Sequence, residues 1–192
     1  MINKDFTTGE QQLIIALKRG DQDAFRHIIE SYQEGIIRVC RGFVGNTADA
    51  EDIAQEVFIQ LYKSASGIRG DAKLSTWLYR VAVNKSINHL RYSKSRNIFD
   101  QAKMDSRYNA SSDVGTDDSI NESYHREAIR QALEKLPDNQ RTAFILQKYQ
   151  DLSYEEISSV MKLSLSSIQS LIFRARKNLQ GSLKDYFEKN IR

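Results

Sequence analysis

The sequence is poor in residues that break or cross-link a chain. Its 192 residues include one cysteine, one proline and nine glycines. A lone Cys40 cannot close an internal disulfide or assemble a thiolate metal site, and its position in a helical apolar pattern favours a buried thiol over a nucleophile. A sandwich or barrel needs many turns, so this composition favours an all-helical protein.

Long apolar runs are also missing. The first residues lack the continuous apolar segment of a secretory signal, and no stretch approaches the roughly 20 apolar residues of a membrane span. We therefore expect a cytoplasmic protein without direct membrane insertion.

The sequence contains no arrangement typical of an enzyme. The three histidines, His27, His89 and His125, are too scattered to form a metal-binding pair. The glycines form no phosphate-binding loop, and no serine lies in a nucleophile elbow. We expect no catalytic residue, no metal and no cofactor, and therefore not an enzyme.

The small net charge of +3 hides an uneven distribution. Residues 1–96 carry a charge of +3, residues 97–123 a charge of −4 and residues 124–192 a charge of +4. The middle segment is rich in Ser, Asp and Asn. Beyond its first third it has too few apolar residues to offset the entropy of ordering it. We interpret it as a flexible acidic linker between two small helical domains.

In residues 1–96 the apolar side chains recur at helical spacing. Breaks at residues 20–21 and 45–47 separate successive helices, and Thr47 is a plausible N-cap for the third. A further helix runs from about Leu74 to Tyr92. This pattern predicts a compact helical bundle.

The second domain begins with a short helix that contains Ile129, Leu133 and Leu136 and ends at the only proline. Pro137 suits the first turn of the next helix, where its missing N–H costs nothing. Ser153 then opens a capping box ahead of a short helix, and only residues 162–165 separate that helix from the last one. Two short helices joined by so tight a turn predict a helix-turn-helix.

The last helix has two distinct faces. Five apolar residues define a buried face: Leu165, Ile168, Ile172, Ala175 and Leu179. The other side presents small hydroxyls, an aromatic and cations: Ser166, Ser170, Phe173, Arg174 and Lys177. Small polar residues let a helix enter the major groove, while Arg and Lys contact phosphates or guanine edges. This face indicates DNA binding; the alternative is a solvated helix whose Phe173 packs on a neighbour.

The helix from Leu74 carries a polar stripe of four residues at helical spacing: Arg80, Asn84, Asn88 and Arg91. Asn is a poor residue for a helix interior, so two of them on one stripe suggest a binding role for their amides. Such amides between two arginines suit unstacked bases and phosphates. An ordinary solvated face is the alternative interpretation.

The helix that starts near Thr47 has an acidic outer surface, which we call the acidic ridge: Asp49, Asp52, Gln55 and Glu56. The acidic ridge would repel DNA, so it is either solvated surface or a docking site for a basic protein. An acidic residue in a first turn also favours the helix dipole, which is a separate structural reason for Asp49.

Six sequence blocks occur in order along nearly the whole chain: GDQDAF at 20–25, DAEDIAQEVF at 49–58, RGDAKLSTWLYRVAVN at 69–84, LP at 136–137, LSYEEI at 152–157 and IFRAR at 172–176. The ordered set resembles the extracytoplasmic-function (ECF) RNA polymerase sigma factors of the sigma-70 superfamily. The resemblance implies a region 2 domain at 1–96, a linker through the polymerase channels at 97–123 and a region 4 helix-turn-helix domain at 124–192.

The resemblance also implies partners. Core RNA polymerase would bind the acidic ridge through its beta-prime clamp helices, and its beta flap is a second expected contact. Promoter DNA is the other partner, and an anti-sigma factor is an expected inhibitor. No cofactor is implied.

DNA contacts follow from the same resemblance. The stripe of Arg80, Asn84, Asn88 and Arg91 would recognise the minus-ten element, with Asn84 at the pocket for a flipped base of the non-template strand. The minus-thirty-five contacts would come from the last helix: Ser166, Ser167, Gln169, Ser170, Phe173, Arg174 and Lys177. Gln169 and Leu171 depart from the Lys or Arg that many members carry, which weakens phosphate anchoring and predicts an unusual upstream sequence.

Two other classes of protein compete with this interpretation. A stand-alone helix-turn-helix repressor or activator would use its first domain for dimerisation or ligand sensing, but it leaves the acidic ridge and the Asn stripe unexplained. An interaction-only helical adaptor is the third hypothesis. A sigma factor of this kind should bind DNA weakly when free, because two basic domains tied by an acidic linker can pack together.

Overall fold

The computed structural model describes residues 5–68, 73–101 and 117–190. These residues form eight α-helices, a short 3-10 helix at Ala65–Gly67 and no strands, which confirms the all-helical class. The α-helices are α1 Asp5–Lys18, α2 Gln22–Val44, α3 Thr47–Ser64, α4 Leu74–Gln101, α5 Asp117–Glu134, α6 Asp138–Gln150, α7 Tyr154–Met161 and α8 Leu165–Asn190. We call α1–α4 the first domain and α5–α8 the second domain.

In the first domain, α2 is the central helix and packs against α1, α3 and α4. Asp21 caps its start by accepting hydrogen bonds from the backbone N–H groups of Asp23 and Ala24. Gly45 ends it with a φ of 81°, a left-handed conformation that glycine adopts without steric cost. Cys40 is fully buried on this helix, as expected, and burial raises the pKa of its thiol to about 11.

The N-cap of α3 is Asn46, not Thr47 as predicted. Asn46 has extended backbone dihedrals, and its side chain accepts a 2.8 Å hydrogen bond from the backbone N–H of Asp49. Thr47 is instead the first helical residue. Asn is at least as good a cap as Thr, and it lies directly after the left-handed Gly45, so the turn places it at the helix start.

The start of α4 is tied to α1. Glu10 on α1 accepts a 2.7 Å hydrogen bond from the backbone N–H of Leu74 and so satisfies one of the free donors of that helix end. At its other end α4 continues to Gln101, beyond the predicted end at Tyr92. No glycine or proline interrupts residues 92–101, so nothing in the sequence stops the helix there.

The predicted linker, 97–123, is helical at both ends. Residues 97–101 belong to α4 and residues 117–123 belong to α5. Residues 102–116 of that prediction lie outside the described residues.

In the second domain, α8 packs against α5, α6 and α7. The predicted capping box is confirmed: Ser153 Oγ accepts from the backbone N–H of Glu156, and the Glu156 carboxylate accepts from the backbone N–H of Ser153. Pro137 immediately precedes α6 instead of lying in its first turn, and its carbonyl accepts from the backbone N–H of Arg141.

Leu165, predicted to lie on the buried face of the last helix, is exposed, and so is Ile129 in the first apolar pattern of the second domain. Ile129 on α5 is 42% exposed and Leu165 on α8 is 39% exposed, whereas Ile168, Ile172 and Leu133 are buried. Periodicity gives the direction of a side chain but not how far the covering helix extends. Leu165 is the first residue of α8, so it lies on the apolar face of the helix but at the edge of the surface that the neighbouring helices cover.

The two domains pack directly against each other, and we call this the closed arrangement. One continuous apolar core contains Phe43 of α2 together with Ile145 of α6 and Ile157 of α7. Two glycines on α2 make the close approach of α6 feasible. A Cβ at Gly42 would lie 2.9 Å from Ile145 Cγ2, and one at Gly35 would lie 2.9 Å from Gln150 Oε1.

Candidate protein and nucleic-acid interfaces

The helix-turn-helix predicted from sequence is present as α7 and α8. The turn between them has three residues, Lys162–Ser164, one fewer than predicted, because Leu165 already belongs to α8. Lys162 adopts a left-handed backbone with φ 56°. Ser158 fixes the turn through two contacts: its hydroxyl donates to the Leu163 carbonyl, and its own carbonyl accepts from the Leu163 N–H.

The residues predicted to contact the minus-thirty-five element share the outer side of α8. Phe173 is 69% exposed, so it does not pack on a neighbouring helix as the alternative interpretation required. Gln169, Ser170, Arg174 and Lys177 are also exposed. The hydroxyls of Ser166 and Ser167 lie 3.1 and 2.8 Å from Ser164 Oγ, which organises the first turn of this surface.

The acidic ridge lies on α3, and α4 partly neutralises it. Lys85 Nζ donates to Glu56 Oε2 at 2.8 Å, and His89 Nε2 lies 3.3 Å from Asp49 Oδ2. Asp52 and Gln55 are exposed, and Asp52 makes no ion pair with the described part of the chain. Sequence reasoning missed the two α4 partners, although Lys85 and His89 are four residues apart and therefore share a helix face.

An apolar groove, which sequence reasoning also missed, runs beside the acidic ridge between α2 and α3. Its cavity volume is about 550 Å³, and Gln55 of the ridge forms part of its wall. The apolar lining residues are Phe25, Ile29, Ile37, Ala54, Phe58 and Ile59. Ile59 is 52% exposed at the rim. Exposed apolar surface next to charged residues is typical of a protein-binding site.

The cations of the α4 stripe contact the second domain. Arg80 donates from Nε to the carbonyl oxygen of Val160 at 3.0 Å and from Nη2 to that of Ser159 at 2.7 Å. Both carbonyls lie in the last turn of α7, where a cation also interacts favourably with the helix dipole. Arg91 Nη2 lies 3.0 Å from Asp138 Oδ2 at the start of α6.

The amides of the stripe lie between these two arginines, and both Asn84 and Asn88 are exposed. Asn84 lines an interdomain cavity of about 340 Å³, together with Arg80 on its own helix and Asn139 and Lys162 on the second domain. The structure therefore brings the predicted stripe together on one side of α4. It also places the second domain over part of that side, which periodicity did not indicate.

Arg141 on α6 is the main interdomain residue that sequence reasoning missed. It is only 4% exposed, donates from Nη2 to the carbonyl oxygen of Phe43 and lies 5.4 Å from the centroid of the Phe43 ring. Burial lowers the pKa of this guanidinium. Its one sequence signal is the spacing of four residues to the buried Ile145, which places an arginine on an apolar face.

Two further polar contacts connect the domains. Tyr79 Oη donates to Gln150 Oε1 at 2.9 Å, and Lys73 Nζ lies 3.3 Å from Glu156 Oε1. The second contact adds a charge pair to the capping box of α7, and hydrogen bonds from Ser153 and Lys73 lower the pKa of Glu156 despite its partial burial.

No helix within 5–68, 73–101 and 117–190 is long and apolar enough to cross a membrane. The side chains described in those ranges contain no group of three or more His, Cys, Asp or Glu that could hold a metal ion.

Comparison with known proteins identifies two family regions in the chain. Residues 28–96 match the family model described as Sigma-70 region 2, and residues 126–179 match the one described as Sigma-70, region 4. The ECF RNA polymerase sigma factor SigW of Bacillus subtilis is 34% identical over 176 residues, which cover 88% of this chain and 94% of that protein.

Solved structures share the fold. CnrH in complex with the cytosolic domain of CnrY gives a TM-score of 0.70 at 20% identity, covering 92% of this chain and 97% of that chain. The sigma factor RpoE in complex with the anti-sigma factor NepR from Bartonella quintana gives a TM-score of 0.60 at 22% identity, covering 83% and 96%. On the two matched regions and the related sequence, the chain belongs to the ECF group of sigma-70 family factors, which direct transcription initiation by RNA polymerase.

Proposed function

We propose that this sigma factor binds core RNA polymerase, recognises a promoter through a minus-ten and a minus-thirty-five element, and opens it by trapping bases of the non-template strand. The observation that carries the proposal is that two exposed helix faces with polar side chains lie on separate domains. One face surrounds Phe173 on α8, and the other surrounds Asn84 on α4. A single DNA-reading face would need only one domain.

The outer face of α8 suits duplex DNA. Its first turn carries small hydroxyls, which allow close approach to base edges in a major groove. Arg174 and Lys177 lie two to three turns further along the helix, where they can contact phosphates or guanine edges. Phe173 projects an apolar ring from the same face, where it can contact a thymine methyl group. This domain fixes the position of the complex on the upstream element.

The α4 stripe suits unpaired bases. An Asn side chain offers one acceptor and two donors, which match the edge of a base that has left its stack. Asn84 and Asn88 lie one helical turn apart, and Arg80 and Arg91 flank them with charges that can meet the phosphates. Discrimination between melted and paired DNA is the role we assign to this stripe, with Asn84 in the base pocket.

The acidic ridge and the neighbouring apolar groove suit a helical, basic protein partner. Asp52 and Gln55 remain available on the ridge, while the groove supplies apolar area for a stable contact. We assign this composite surface to the beta-prime clamp helices of core polymerase. The beta flap is the contact that we assign to the second domain.

The closed arrangement limits DNA binding by the free protein. Arg80 and Arg91 donate their hydrogen bonds to the second domain, so both must leave those partners before they can meet phosphates. Binding to polymerase supplies the free energy that separates the domains. The free factor should therefore bind promoter DNA weakly, and it acts where polymerase and chromosome are found, in the cytoplasm.

An anti-sigma factor is the inhibitor that we propose. The related factor RpoE was solved with the anti-sigma factor NepR. An inhibitor that covers the apolar groove between α2 and α3 would compete with polymerase for the same area.

Reconstituted transcription tests the proposal. Core polymerase and this protein together should give transcripts from specific start sites, and each component alone should give none. The opposite pattern, tight binding of the protein alone to a duplex operator with no new start site in the presence of core polymerase, would support a stand-alone helix-turn-helix regulator instead.

A further inference from the structure

A second interdomain cavity, of about 350 Å³, lies between α2 and the helices α5 and α6 of the second domain. Five arginines line it, and we call it the arginine cavity: Arg38, Arg41, Arg126, Arg130 and Arg141. No aspartate or glutamate is among the described residues that line it. The rest of the wall comes from two glycines, one in α2 and one at its C-cap, and from apolar and aromatic side chains, including Phe43, Leu133 and Tyr149.

Neighbouring carboxylates neutralise only part of this charge. Glu34 pairs with Arg38, and Glu127 and Glu134 both pair with Arg130. Arg41 is exposed and forms no ion pair with any described residue. The cavity therefore concentrates positive charge at a place where two helices of one domain meet one helix of the other.

Arg141 adds an independent observation. It is 4% exposed and forms no ion pair within the described ranges, and its Nε–H is buried without a hydrogen-bond partner. A buried charge is normally paired, because leaving it uncompensated is energetically unfavourable. Nη2 is satisfied by the Phe43 carbonyl, so Nε–H is the buried donor of this guanidinium that lacks an acceptor among the described residues.

Guanidinium groups discriminate among anions by shape. Their planar forks donate pairs of parallel hydrogen bonds to two oxygens of one phosphate, which chloride cannot accept in that way. A cavity of about 350 Å³ is in the size range of small-ligand sites. Duplex DNA is too wide to enter a cavity of this size between three packed helices.

We propose that the arginine cavity binds a small phosphate-bearing anion and that the bound anion holds the two domains closed. Its walls come from Arg38 and Arg41 of the first domain and from Arg126, Arg130 and Arg141 of the second. A ligand that contacts both walls binds the closed arrangement and not the open one, so it shifts the equilibrium towards closure. The binding itself does not depend on the proposed function; only its effect on promoter recognition does.

Pyrophosphate is a suitable probe, titrated calorimetrically into the full chain at constant ionic strength. We expect saturable binding with one site per chain and a rise in the thermal unfolding midpoint. Arg41→Gln should weaken the binding by roughly tenfold or more, since a hydrogen bond to a charged group is worth at least that factor. The matched control is Arg26→Gln, which removes an exposed arginine of the same helix that pairs with Asp23 outside the cavity.

A second variant separates charge from geometry. Gly42→Leu keeps all five arginines but places a side chain where Ile145 packs, so it drives the cavity walls apart. Pyrophosphate binding should be lost in this variant. The proposal is overturned by absence of saturable binding to the unaltered chain, by equal affinity in Arg41→Gln, by retention of binding in Gly42→Leu, or by the same effect from chloride.

Discussion

The guanidinium of Arg80 donates a 3.0 Å hydrogen bond from Nε to the backbone carbonyl of Val160, which links the predicted minus-ten surface of α4 to the last turn of α7. Arg80, which we assign to promoter DNA, thus also stabilises the contact between the two domains. If Arg80 also contacts promoter DNA as proposed, interdomain packing and DNA binding compete for this side chain. A change that weakens the packing should then improve DNA binding without altering the DNA surface.

Gly42→Leu is the change that tests this competition. A Cβ at Gly42 would already lie 2.9 Å from Ile145 Cγ2, and the larger side chain cannot fit while α2 and α6 remain in contact. We expect a larger radius of gyration in solution scattering and tighter binding of a single-stranded minus-ten oligonucleotide. Each roughly 1.4 kcal/mol of lost packing should raise the apparent affinity tenfold.

Gly181→Leu is the matched control. Gly181 lies in α8, and no described atom outside its own helix backbone lies within 4 Å of its Cβ position, so the substitution adds the same side chain without a described obstruction. It should leave both the radius of gyration and the oligonucleotide affinity unchanged. An equal response of the two variants would mean that the domains do not restrain each other.

Asp52→Lys should abolish binding to core polymerase. Asp52 is exposed on the acidic ridge and has no ion pair among the described residues, so its reversal costs the fold little and repels a basic partner. Adding Glu56→Lys would also place two lysines together, since Glu56 contacts Lys85 at 2.8 Å. Asp52→Lys alone is therefore the sharper variant.

A pull-down with core polymerase measures the effect of Asp52→Lys, and circular dichroism checks the fold. Glu30→Lys reverses an exposed carboxylate on α2 and serves as the control for net charge. Normal recovery of polymerase by Asp52→Lys would remove the ridge from the docking surface.

Phe173→Ala should weaken binding to the minus-thirty-five element without destabilising the protein. The ring is 69% exposed, so its removal should change the free energy of unfolding by no more than about 0.5 kcal/mol. Its neighbour Ile172 is 2% exposed, and Ile172→Ala should cost about 2–5 kcal/mol. Denaturant unfolding and footprinting of the holoenzyme on the upstream element distinguish the two effects; unaltered footprinting by Phe173→Ala would exclude the ring from the interface.

Local patterns predicted the helices and their directions well. The capping box at Ser153 and Glu156 follows from two side chains three residues apart, and the exposed side of α8 follows from the apolar period that buries Ile168 and Ile172. These features depend on interactions within one or two turns of the chain. That is why the sequence alone was enough to predict them.

The closed arrangement was predicted only as a general tendency of the two domains. The contact between Arg141 and Phe43 joins residues 98 positions apart, and no local spacing encodes such a pair. The sequence alone does not show why positions 35 and 42 are glycine. The reason is the close packing of α6 against Gly35 and Gly42. Long-range packing also explains the partners of the acidic ridge, because Lys85 and His89 reach it from another helix.

Asn84→Ala should impair promoter opening more than upstream duplex binding. The side chain is exposed in the cavity beside Arg80, so its loss leaves the core intact and removes the amide assigned to the flipped base. Asn139→Ala is the matched control, because Asn139 lines the same cavity from the second domain. Permanganate reactivity of melted thymines reports opening, and footprinting of the upstream element reports duplex binding. Equal losses in both measurements, or the same loss from Asn139→Ala, would contradict a base pocket at Asn84, since either result points to a general effect on domain packing.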